Sequence, residues 1–184
     1  MKTTKKQICD AAMELFKENG YENVSIQDIC NVCGVTRGSF YHHYKSKDDL
    51  LIYWELCHAE GMIGEIRQDT DMDAVEYLLK YQMDYAADIS SIGCDLLYHL
   101  ILAMVNTGDN IIGSHKGIGV YIGSEPVVEL IRKATDTDLD TAHNLLRYYN
   151  MAVTGLVVEW KLSNGDFDFV AECRAISEAV FHLK

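Results

Sequence analysis

The sequence predicts an all-α protein of about nine helices, and three features carry that prediction. Apolar residues recur every three or four positions through most of the chain, the period of a helix face. Three cap signatures stand at capping-box spacing: Thr4 with Gln7, Ser25 with Asp28, and Ser46 with Asp49. A single Pro in 184 residues leaves long segments free to remain helical.

The first helix follows the Thr4 cap, carries Ile8, Ala11, Ala12, Leu15 and Phe16 on one side, and stops at Gly20. Ser25 opens a second, with Val24 and Ile29 placed as a hydrophobic staple, and Gly34 ends it after about Val32. Thr36 caps a third helix of under two turns, too short to be stable alone, so Phe40 and Tyr44 must anchor it on the first two. Its free face carries Arg37, Gly38, Ser39, Tyr41 and His42: one cation, small residues that permit close approach, and polar rings able to touch base edges or phosphates. That is helix-turn-helix chemistry. Ser46 with Asp49 then opens a fourth helix and puts Lys47 in its first turn, where ammonium and free backbone amides could share a DNA phosphate.

The first fifty or so residues resemble the DNA-binding domain of the tetracycline-repressor family of bacterial regulators. The resemblance rests on Gly20-Tyr21, Ser25, Gly34-Val35 and the string from Gly38 to Lys47, with Tyr44 where the family often has Phe. It implies that Ser25, Tyr41 and Lys47 contact phosphates while Arg37, Gly38 and His42 face the major groove. The DNA-facing set is therefore Ser25, Thr36, Arg37, Gly38, Ser39, Tyr41, His42 and Lys47. A weaker echo of the family's penultimate helix appears in Gly155 to Trp160, followed by Gly165 and Phe167. The domains expected are a helix-turn-helix unit over 1–46 and a helical effector-binding and dimerisation unit over 47–184.

Charge is distributed to suit that division. Residues 1–50 hold seven Lys or Arg and seven Asp or Glu, so the whole net charge of -12 belongs to the rest of the chain. Repulsion from an acidic body confines DNA contact to the headpiece and makes it depend on salt. Cys30 and Cys33 have C-x-x-C spacing with His42 and His43 nearby, a pattern open to zinc or redox chemistry. Packing is the preferred reading, since Cys30 falls on the inward face and Cys33 beside the turn. Adjacent His residues on a helix point about 100° apart, which opposes joint chelation. His42 is assigned to DNA and His43 to packing. The other four Cys are scattered, and no metal or cofactor is expected. No run reaches the ~18 apolar residues of a membrane helix, and the N-terminus leads into an amphipathic segment with Asp10 and Glu14, not a signal core. A cytoplasmic protein without a membrane partner is expected.

In the body, a long helix runs from Ser46 to about Gln68, and another starts at Asp71 or Asp73 with Val75, Leu78, Leu79, Met83 and Ala86 on its core side. A third carries Leu96, Leu97, Leu100, Ile101 and Met104. The glycine-rich segment from Thr107 to Pro126 reads as an irregular connection, either a ligand portal or a plain surface loop. A short helix over Val127–Ala134 precedes a long one from about Asp138 to Ser163, with Gly155 inside it, and a last one bears Val170, Cys173, Ile176, Val180 and Phe181. By the resemblance, the final two helices pair across a twofold axis into a four-helix bundle, with Leu156, Trp160, Ile176 and Val180 as interface residues. A homodimer reading successive major grooves requires a palindromic operator. Trp54, Tyr81, Tyr85, Asp88, Tyr98, Tyr121 and Tyr149 are the candidates for an effector site, suited to an apolar or cationic aromatic compound. Such aromatic stripes are more often core.

The function expected is a homodimeric repressor released from double-stranded DNA by a small molecule. The alternatives are an effector-independent DNA-binding or interaction dimer, and an enzyme using Asp95 with His99 or Cys57 with His58. No glycine-rich phosphate loop or Gly-x-Ser-x-Gly elbow supports the last.

Overall fold

The computed structural model describes residues 4–66, 72–106 and 125–183, and all of its regular elements are helices. They are α1 (Lys5–Asn19), α2 (Ile26–Cys33), α3 (Arg37–His43), α4 (Lys47–Ile66), α5 (Ala74–Ser90), α6 (Cys94–Asn106), α7 (Glu125–Thr135), α8 (Leu139–Leu162) and α9 (Phe169–Val180). The order and type follow the sequence reading, and the differences lie at ends. Asp73 is the cap of α5, its carboxylate accepting from the Val75 and Glu76 amides, whereas Asp71 and most of the glycine-rich segment, residues 107–124, lie outside the described residues. Pro126 is not in a loop but in the first turn of α7, where its missing N–H has no helical acceptor to lose.

Local chemistry builds the headpiece. At α1 the Gln7 amide donates to Thr4 Oγ1 at 3.2 Å and the Thr4 amide to Gln7 Oε1 at 2.8 Å. Ser25 and Asp28 repeat this reciprocity at α2. At α4 it is incomplete: the Asp49 amide donates to Ser46 Oγ, but the Asp49 carboxylate accepts from the Lys45 amide. Between α2 and α3, Gly34 takes φ 63°, a left-handed conformation that a side chain would strain. Phe40 and Tyr44 are wholly buried and fix α3 on α1 and α2, and the Tyr44 hydroxyl donates to the Lys5 carbonyl at 2.8 Å. Burial of the Phe40 ring contributes about 1.5–3 kcal/mol, which the seven-residue helix needs because its own hydrogen bonds cannot sustain it.

The body packs α5 against α7 and α9, α8 against α6, α7 and α9, and α6 against α4. Helix α4 packs on α1 in the headpiece and, in the body, chiefly on α6, with smaller contacts to α5 and α7. Leu50 and Leu51 near its start are buried and join one continuous core with Leu78, Leu97, Leu100, Val127, Ile131 and Leu146. Among the described residues no single helix is long and apolar enough to cross a membrane.

Candidate nucleic-acid interface and effector cavity

Burial of Phe40 sets the orientation of α3 and leaves Arg37, Gly38, Ser39, Tyr41 and His42 exposed together. Arg37 lies along Tyr41, its guanidinium 3.5 Å from the hydroxyl and 6.0 Å from the ring centre. That contact pre-orders two flexible groups on the same face. Thr36 is exposed, and its hydroxyl accepts the Ser39 amide at 3.2 Å, so it shapes the start of α3 as well as standing beside it. Ser25 is exposed at the α2 cap, with its hydroxyl donating to Asp28 at 2.6 Å. His42 is exposed and His43 half-buried, their rings 5.1 Å apart.

Lys47 has a structural task that sequence reasoning missed. Its ammonium donates to the Tyr21 and Val24 carbonyls at 2.7 and 2.8 Å and sits 4.2 Å from the Tyr21 ring centre. Burial pushes it below the usual lysine range, against the pull of Glu22 and Asp48. It ties the α1–α2 turn to the start of α4. Lys45, two residues earlier, is exposed beside α3 and was not among the sequence candidates. The signal for it was weak, since one lysine in a polar turn has no periodicity to mark it.

The residues of the metal and enzyme alternatives take up other contacts. Cys30 is fully buried and burial raises its thiol, which suits packing; among the described residues no cluster of three or more His, Cys, Asp or Glu could hold a metal ion. Asp95 pairs with Lys161 of α8, while His99 stacks on Tyr21 with ring centres 4.6 Å apart and lies 3.7 Å from Glu22. The two residues thus serve different contacts. Cys57 is exposed, and His58 turns to Asp88 at 2.6 Å.

The effector candidates separate in space. Tyr85 lines a cavity of about 50 Å³ between α4, α5, α6 and α8. Trp54 and Asp88 line a different, open groove with His58 and Cys57. Tyr81 is buried core, Tyr149 is buried against Phe181 with ring centres 5.4 Å apart, and Tyr98 meets His99 edge-on. Tyr121 lies outside the described residues. Of the residues that line the cavity only Tyr85 was among the candidates; the polar residues Glu55, 5% exposed, and Asn150 were missed. A signal existed for both, because Glu55 falls in phase with Leu51 and Ala59 on the buried side of α4, and Asn150 with Leu146, Val153 and Val157 on α8.

The dimer candidates also sort by burial. Leu156 is 6% exposed within the single chain, and the half-buried Trp160 packs on Phe169 at 4.8 Å and donates to the Phe167 carbonyl at 3.1 Å. Ile176 and Val180 are half-buried against the same core. The outward stripe of α8 is instead Tyr148, Met151, Gly155, Val158 and Leu162, with Met151 63% and Leu162 80% exposed. A Cβ on Gly155 would meet nothing within the chain.

Comparison with known proteins bears on the headpiece first. The sequence model described as bacterial regulatory proteins, tetR family, matches residues 8–53. The headpiece is therefore similar to that of the tetR family, over about a quarter of the chain. The HTH-type transcriptional regulator AcrR of Shigella flexneri is 34% identical over 103 residues, covering 55% of the chain and 42% of AcrR. The TetC protein of transposon Tn10 from Escherichia coli is 35% identical over 94 residues, covering 47% and 46%. The chain thus spans less than half the length of these two relatives. The fold likeness extends further than this headpiece. Thermus thermophilus FadR, a TetR-family repressor solved with lauroyl-CoA, superposes with TM-score 0.72 at 18% identity, covering 96% of this chain and 93% of FadR. TylP of Streptomyces fradiae, a tetR regulator, gives 0.54 at 20% identity, covering 97% and 84%.

Proposed function

We propose that this protein is a cytoplasmic, homodimeric transcriptional repressor that binds a palindromic operator and is released by a small molecule held in its body. The observation that carries the reading is the outward face of α3 in a tetR-like headpiece. Arg37, Gly38, Ser39, Tyr41 and His42 are presented together because Phe40 is buried behind them. In the complex, Arg37 and His42 reach base edges, Gly38 admits the backbone to the groove, and Thr36, Ser39, Tyr41 and Ser25 bond phosphates. Lys47 keeps two donors on carbonyls and offers its third to a phosphate, and Lys45 adds a second contact. The domains divide after residue 46, since α4 begins at Lys47 and leads into the body.

Dimerisation uses the outer stripe of α8, where Met151, Val158 and Leu162 are apolar and exposed and Gly155 admits close approach of a partner helix. Exposed Ala171, Ala175 and Ala179 extend that face onto α9. Coupling runs through α6. Leu97, Leu100, Ile101 and Met104 of this helix line the cavity, while His99 stacks on Tyr21 of the headpiece. A ligand that displaces α6 changes the seating of Tyr21 and Lys47, and hence the spacing of two headpieces. It acts by differential affinity for the two arrangements. Selection of bound sequences from random duplex DNA, followed by anisotropy titration across a salt series, tests the reading. Enrichment of one palindrome with a steep salt slope is expected; failure of any sequence to be enriched overturns it.

A further inference from the structure

The cavity between α4, α5, α6 and α8 has an asymmetric chemistry. Ile89, Leu97, Leu100, Met104, Val153 and Val157 make most of its wall apolar, and its polar lining residues are Glu55, Tyr85, Asn150 and Thr154, the last with its hydroxyl donating to the Asn150 carbonyl at 2.8 Å. The Tyr85 hydroxyl donates to Glu55 Oε1. Glu55 Oε2 and Asn150 Oδ1 are both buried and have no hydrogen-bond partner. Buried acceptors are ordinarily satisfied, so two of them on residues that line one apolar slot define the complement of a donor. We propose that this slot binds an organic cation, an ammonium or amidinium head on a small apolar body, whose N–H groups donate to Glu55 Oε2 and Asn150 Oδ1. The inference rests on the effector reading above and names the ligand class for it.

Charge decides for a cation over a neutral donor. A water or alcohol can supply hydrogens to the two oxygens but cannot compensate a carboxylate removed from water, whereas an ammonium does both. Burial, the largest influence, holds the Glu55 carboxyl above the usual glutamate range despite the Tyr85 hydrogen bond and the charge of His58. That is the behaviour of a carboxylate lacking a cation. An anionic head is excluded by the same group. Length is restricted as well, because about 50 Å³ accommodates the head and a short stem unless α6 moves aside. That movement is the step that would reach Tyr21 through His99.

The test is calorimetric titration of the full chain with propylamine, cyclohexylamine, benzylamine and 2-phenylethylamine, against 2-phenylethanol and 3-phenylpropionate. At least one amine should bind about ten-fold or more tightly than the alcohol, and the carboxylate should not bind. Glu55→Gln keeps an acceptor for Tyr85 and should weaken the amine about ten- to a hundred-fold, the effect of losing one bond to a charged group, while leaving the alcohol unchanged. Asn150→Leu, which leaves Glu55 in place, should weaken the amine several-fold and gives an independent reading. Equal affinity for amine and alcohol, no binding of any amine, or an unchanged amine affinity in Glu55→Gln each overturns the proposal. Sequence selection on DNA is run separately. An enriched palindrome without amine binding defeats this inference and spares the regulator, and amine binding without enrichment does the reverse.

Discussion

Replacing Lys47 by Met separates two tasks that one ammonium performs. The side chain keeps its length, so the change removes the charge and the two hydrogen bonds to the Tyr21 and Val24 carbonyls, at 2.7 and 2.8 Å, with little loss of packing. Each bond from a charged donor contributes about 1.5–3 kcal/mol where water is excluded. Lys47 is only half-buried, and in the variant water can reach both carbonyls, so the two together should contribute about 1–2 kcal/mol. For a chain of this size 1 kcal/mol moves the melting temperature by about 2–4 °C, which gives a fall of roughly 2–8 °C. Thermal unfolding followed by circular dichroism reads this directly. The third donor is read by DNA anisotropy against salt, where loss of one phosphate contact per headpiece should lower the slope by about one each. A melting temperature within about 1 °C of the parent would refute the tie between the α1–α2 turn and α4. An unchanged salt slope would refute the phosphate contact even if stability falls.

Other perturbations follow from the same geometry. Tyr85→Phe leaves Glu55 Oε1 buried without its donor and should cost about 1–3 kcal/mol in urea unfolding; an unperturbed midpoint would mean that water replaces the hydroxyl. Because burial raises the Glu55 carboxyl, folding favours its protonated form, so its stabilising contribution is present below the ordinary glutamate value and is lost as pH rises through the raised one. Glu55→Gln should therefore grow more stable relative to the parent from about pH 4.5 upward, and a pH-independent difference would contradict that. Met151→Glu should weaken dimerisation roughly 100-fold or more by burying an uncompensated charge, as measured by sedimentation; a dimer of parental strength would place the interface elsewhere. Arg37→Ala should relax sequence preference in repeated selection, and retention of the parental preference would remove Arg37 from base readout.

The headpiece was legible because its determinants are local. Caps at Thr4 and Ser25, the stop at Gly34 and the apolar spacing behind Phe40 fix three short helices, and once Phe40 is inward, Arg37, Tyr41 and His42 must be outward. Lys47 was placed in the correct turn, but its carbonyl partners lie 26 and 23 residues away and left no mark in the local pattern. The dimer face shows the same limit. Periodicity identified the apolar sides of α8 and α9, yet both Leu156 and a stripe through Met151 and Leu162 satisfy it. The choice between them depends on which side α6, α7 and α9 cover.

The all-helical class, the helix order and the outward face of α3 are legible in the chain alone, since each rests on contacts within a few residues. Tertiary structure alone decided that Trp54, Tyr85, Tyr98 and Tyr149 do not share one pocket. It also brought Glu55 of α4, Tyr85 of α5 and Asn150 of α8 to a single apolar slot. A helix repeats every 3.6 residues whatever lies beside it, so sequence can tell that a side chain is turned inward but not which inward-facing groups from other helices it will meet.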